Sequence, residues 1–221
     1  MAISYDPKGF YYAPTQEINQ AQRETNALYI RNTLVTDTWA FLCPGHEKEK
    51  VSPWSNSAIL AFLASCQYES KLNPDLYEGY QVGERNGYGL VQWTPGTLMR
   101  NFAATIDQNS YDIDAQLARI QYEIDHDVPG DPEDEWLPRG AYTNFDSFYG
   151  WTINTTAGIR GMIGAFTTNY LRPAVIDDAR LNECVRYANA WETFFSTHPP
   201  TKPWRPPGFY GNKWIYYIRR R

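Results

Sequence analysis

The chain has 221 residues, enough to bury a real core as one medium domain or as one domain plus appendages. Its formal net charge of −5 gives no basis for nucleic acid as the main partner, and no run approaches the roughly eighteen apolar residues that span a bilayer. Three cysteines at unrelated spacings, Cys43, Cys66 and Cys184, exclude a disulfide framework and read as small core residues of a protein made in a reducing compartment.

Residues 1–14 read as an extended, aromatic-bearing arm ending at Pro14. Its opening, MAISYDPKGFYY, lacks a basic region followed by an apolar run, so no signal peptide is expected. Over residues 15–35, Ile18, Ala21, Leu28, Ile30 and Leu34 predict a weakly amphipathic helix. A loop of Pro, Gly and charge follows, CPGHEKEKVSPW, with a solvated His46 beside Glu47 and Glu49. Neither CxxC nor HExxH spacing occurs, so no metal and no cofactor is expected. Next comes a helix with Ile59, Leu60, Phe62, Leu63 and Cys66 on its buried face, candidate caps at Ser55, Asn56 and Ser57, and a stop at Pro74. Residues 76–93 predict a polar loop carrying Glu78 and Glu84, then a glycine-aromatic strand in a small sheet. GTLMRNFAATI, with Thr94 as cap, and residues 112–125 predict two more helices. The acidic stretch HDVPGDPEDEW matches no calcium-loop spacing and reads as solvated. Residues 155–170 and 178–195 predict the last helices, which makes the chain mainly α. From Thr197 onward there are six cations, five prolines and no acid, a composition that suits a docking strap for another protein.

Glu69 is oddly placed in this pattern. It falls in the last turn or so of a buried helix, where the helix dipole disfavours a negative charge and apolar neighbours such as Tyr68 and Leu72 add desolvation. Both effects raise a carboxyl pKa, and a carboxyl held protonated near neutral pH is what a general acid needs. Beyond it, Gly87 and Gly89 allow a tight turn and close approach of backbone to a ligand. Tyr88 and Trp93 offer ring faces for stacking, and Gln92 offers both a donor and an acceptor.

ESKLNP, followed by NGYGLVQWTP, resembles the phage tail lysozyme family, a branch of the lysozyme superfamily. More distantly the chain is similar to goose-type lysozymes and soluble lytic transglycosylases, which share E-S-x-x-N and G-x-G-L-x-Q elements. Here those elements are Glu69, Ser70 and Asn73, then Gly87, Gly89, Leu90 and Gln92. The likeness extends over roughly residues 25–195. It implies an α+β, mainly α lysozyme-like fold: a helical bundle around a catalytic helix, with a small β-hairpin or sheet beside the cleft. Residues 15–196 would form the catalytic domain between the arm and the strap.

The implied substrate is bacterial peptidoglycan, cut at the β-1,4 bond between N-acetylmuramic acid and N-acetylglucosamine. Glu69 would be the general acid, with Asn73, Tyr88, Gly89, Gln92 and Trp93 around the sugar. An inverting hydrolase needs a second carboxylate roughly 6.5–9.5 Å away, and a retaining one about 5–5.5 Å. Glu78 is the first candidate and Glu84 the second, with Asp75 nearer in sequence. Without such a carboxylate, a lytic transglycosylase giving a 1,6-anhydro product is the alternative. A catalytically silent structural tail component is a further alternative. The strap, residues 197–221, and the arm would bind other tail proteins. That arrangement favours a muramidase carried at the tail tip of the virion, made in the host cytoplasm and acting locally on the host wall, over bulk lysis.

Overall fold

A computed structural model describes residues 2–35, 54–125, 136, 148 and 156–200. His46, Cys43, the acidic loop and residues 201–221 of the expected strap lie outside the described residues.

The fold is mainly helical with a small antiparallel sheet. Helix α1 is Gln20–Leu34, shorter than its apolar pattern, because Asn19 starts it with a capping box. Asn19 Oδ1 accepts from Gln22 N at 3.0 Å, and Gln22 Oε1 accepts from Asn19 N at 2.8 Å. Helix α2 is Asn56–Ser70, capped by Ser55, whose hydroxyl accepts from Ala58 N at 3.1 Å. Every residue from Ser57 to Gln67 on α2 is buried, so the helix is enclosed all round instead of on one face. Ser65 fits there because its hydroxyl donates to Ala61 O within the helix.

Helices α3 (Thr97–Thr105) and α4 (Ile113–Asp125) pack on one another. Thr94 does not cap α3; its hydroxyl donates to Gln92 O and the helix starts after Gly96. Helix α5 (Thr156–Phe166) widens into a π turn, Thr167–Leu171. Helix α6 (Asp178–Thr197) is capped by Asp177, which accepts from Arg180 N. Helices α5 and α6 enclose α2. Part of the high aromatic content serves this core: Phe62 meets Trp54 at 5.4 Å and Phe166 at 5.7 Å between ring centres.

The sheet is β1 (Ser4–Asp6) paired with β2 (Phe10–Tyr12), in the segment expected to be an extended arm. In residues 76–93, where a small sheet was expected, pairing reduces to single bridges, Tyr77 to Tyr88 and Tyr88 to Trp93, around a 3-10 turn at Glu78–Tyr80. The N-terminal hairpin folds back onto the domain. Phe10 and Ala13 are fully buried, and Asn26 bonds both the N–H and the carbonyl of Tyr11. No helix among the described residues is long and apolar enough to cross a membrane.

Candidate active site

The end of α2 turns the chain sharply. Lys71 and Leu72 both take left-handed backbone, at φ 56° and 57°, which costs a non-glycine residue about 1–2 kcal/mol each. Three buried side chains hold that turn. Ser70 Oγ lies within hydrogen-bond distance of Cys66 O and Leu90 O, joining helix to loop. Asn26 Nδ2 donates to Leu72 O. Asn73 Nδ2 donates to Ala13 O and Gln16 O, while its Oδ1 accepts from Ala13 N and Asp75 N. Asn73 is fully buried, so it belongs to the frame of the site and presents no amide to a ligand.

Before the turn, Glu69 faces a cleft of about 750 Å³, a volume typical of ligand sites. Its side chain is 18% exposed and ion-pairs through Oε1 with Arg180 of α6. Burial raises the Glu69 pKa; Arg180 and, less strongly, Lys71 oppose the rise, and Glu78 adds to it. The net direction is upward, as a general acid requires. Arg180 is itself held, with its guanidinium 4.6 Å from the Tyr68 ring centre.

The loop after α2 also lines the cleft. Glu78 is exposed on the cleft, and its carboxylate accepts from Gly87 N at 3.1 Å. Glu84 is also exposed but does not line the cleft. Asp75 is removed from it too, accepting from the Tyr88 hydroxyl at 2.8 Å, with burial raising its pKa to about 6. Tyr88 is 1% exposed and covered by Tyr77 at 4.7 Å, so it acts as a strut, not as a stacking face. Gly89 sits at φ +81°, and a Cβ there would lie 2.9 Å from Gln116 Oε1. The close approach at this glycine is therefore to Gln116, which accepts from Leu90 N and donates to the carbonyls of Pro74 and Ser110. Gln92 lines the cleft at φ 58°, and its Nε2 donates to Gly89 O and Leu76 O.

Trp93 also lines the cleft, and its indole N–H donates to Glu123 Oε2 at 3.0 Å. Glu123, on α4, accepts from the Tyr170 hydroxyl as well and pairs with Arg119 one turn earlier. It is 1% exposed, and burial raises its pKa against those partners. Glu123 is thus a third cleft carboxylate that the sequence did not single out. Its one sequence signal is the Arg119–Glu123 spacing of four on a helix, common to ordinary surface pairs. Arg180 and Gln116 carried no signal at all.

A mostly buried carboxyl at a helix end and an exposed carboxylate on the same cleft, with Trp93 in its lining, are groups that acid-assisted cleavage of a glycoside can use. Two comparisons with known proteins find relatives of this chain. The chain is 28% identical over 165 residues to morphogenesis protein 1 of Bacillus phage B103, a match covering 74% of this chain and 38% of that protein. The chain therefore spans well under half the length of that curated relative. The profile of phage tail lysozymes matches residues 49–195, from just before α2 to the end of the aromatic run on α6. The chain belongs to the phage tail lysozyme family.

Proposed function

We propose that this protein is a muramidase carried at the phage tail tip, which opens the host peptidoglycan locally by cutting the β-1,4 bond between N-acetylmuramic acid and N-acetylglucosamine. The observation that carries the proposal is Glu69, mostly buried on the cleft wall with its pKa raised by burial. In this scheme Glu69 gives its proton to the bridging oxygen as the bond from that oxygen to the anomeric carbon breaks. Glu78 takes a proton from the water that adds to the anomeric carbon, and Glu69 is left ionised beside Arg180. Trp93 and Gln92 hold the sugar, while Asn73, Tyr88 and Gly89 keep the loop in shape beneath it.

Mass spectrometry of products from purified peptidoglycan tests the chemistry. Reducing muramic ends support hydrolysis. A 1,6-anhydro end would replace it with transglycosylation, in which Glu69 serves as both acid and base. Intact strands would leave a silent tail component.

Attachment to the particle is assigned to the basic, proline-rich segment at the C-terminus. Truncation after residue 200 is the suitable cut, because α6 runs to Thr197 and Arg31 donates to the His198 carbonyl. The truncated chain is expected to cleave walls at the full-length rate and to be lost from assembled particles. Normal packaging of it would remove the strap from the account.

A further inference from the structure

Two cations that the cleavage scheme does not use stand on the cleft. Lys71 closes α2 two residues after Glu69, and Arg172 closes the π turn Thr167–Leu171. Both are half-buried and both take left-handed backbone, at φ 56° and 48°, where glycine is the usual helix-ending residue. Such outliers gather at functional sites, where surrounding structure holds them. A cation at a helix C-terminus is also favoured by the dipole, so position alone assigns nothing. The setting does more. Lys71 lies near enough to Glu69 to oppose the rise in its pKa. Beyond Arg172 the chain passes through Pro173 and Ala174 on the cleft to Val175 and Ile176, which are 66% and 40% exposed. Arg172 thus leads along the chain, within four residues, to two exposed apolar side chains just past the cleft lining. While its lactyl carboxyls are amide-linked, as they are in the wall, the sugar backbone itself carries no anion, and the carboxylates lie on the peptide it bears.

We infer that Lys71, Arg172 and the Val175–Ile176 shoulder form a subsite for the acidic, alanine-bearing stem peptide of peptidoglycan, with the cations on its carboxylates and the shoulder on its methyl groups. This inference rests on the muramidase assignment for its substrate and deepens it: the cleft selects strands that carry peptide. Charge-assisted contacts of this kind add orientation as well as affinity.

The test uses the full chain with Glu69→Gln, which removes the proton donor and keeps the cleft. Its binding is measured by titration calorimetry against two soluble probes, glycan strands with intact stem peptides and the same strands stripped by an amidase, with the lactyl carboxylates so released capped as methylamides. The expected result is binding about tenfold tighter for peptide-bearing strands. Adding Lys71→Gln or Arg172→Gln to that background should each reduce the preference about threefold or more, Lys71→Arg should retain it, and salt should weaken it. Equal affinity for the two probes, or variants that weaken both equally, would overturn the subsite. Turnover by the wild-type chain on the same probes reports separately on the cleavage proposal. A peptide preference without cleavage keeps the subsite and sinks the muramidase, whereas cleavage without preference does the reverse.

Discussion

On the helical wall of the cleft, Glu69 is mostly withdrawn from water, paired with an arginine that reaches it from α6, and carries a raised pKa. On the loop after α2, Glu78 faces solvent and its carboxylate accepts from the backbone N–H of Gly87. Both are glutamates on one cleft, nine residues apart, and burial is the largest difference between their surroundings. Burial favours the protonated form of the first, which is the form the proposed transfer to a leaving oxygen needs. Exposure leaves the second among water molecules, where a base or water-holder is needed. The lesson lies in the scaffolding: a buried helix can present a desolvated acid, and a bridged loop can present a hydrated one.

Mutations that abolish this contrast should have the largest effects. Glu69→Gln removes the only proton donor proposed for the leaving group and should lower wall hydrolysis about 10³-fold with the circular dichroism spectrum unchanged. Glu123→Gln attacks the footing of the loop wall, leaving Arg119 without its buried ion partner. It should cost about 3 kcal/mol, read as a fall in Tm of roughly 6–12 °C, because breaking one side of a buried pair strands the other charge. Glu78→Gln should lower turnover about 10²-fold while Glu84→Gln stays within about threefold. Equal losses from both would mean that exposure on the cleft does not choose the second acid.

Removing Arg180 sharpens the contrast without touching either glutamate. Arg180 favours the ionised form of Glu69, so Arg180→Met should raise the Glu69 pKa further. The acid then stays protonated to higher pH, and the alkaline limb of the kcat profile should move to higher pH. A fall in kcat with the limb unmoved would show that Arg180 positions the carboxyl without tuning it.

How much of this was legible in the sequence follows from which forces are local. The apolar run of α2 and the serine before it marked a buried helix, and Glu69 was visible because an acid at such a helix end conflicts with its surroundings. The two-motif resemblance supplied the rest of the site's outline. Roles set by partners distant in sequence were not visible. Asn73 looks like a ligand-facing amide until Ala13 and Gln16 are seen to occupy it from about sixty residues away. Tyr88 looks like a stacking ring until Asp75 and Tyr77 bury it. Glu123 looks like one polar residue on an amphipathic helix until Trp93 and Tyr170 converge on it. The sheet was expected among the glycines and aromatics of residues 76–93, yet that chain is drawn in by Gln116 and Ser70 and keeps only single bridges. Residues 4–12 form the ladder because Asn26 and a buried Phe10 hold the hairpin against α1.

The proposed proton donation by Glu69 is tested most directly by changing how much the leaving group needs it. A dinitrophenyl glycoside of an N-acetylglucosamine oligomer departs without protonation, whereas a wall sugar does not. Comparing Glu69→Gln with the wild type on both substrates should show a loss of about 10³-fold on walls and less than about tenfold on the activated glycoside. Equal losses on the two would contradict Glu69 as the general acid.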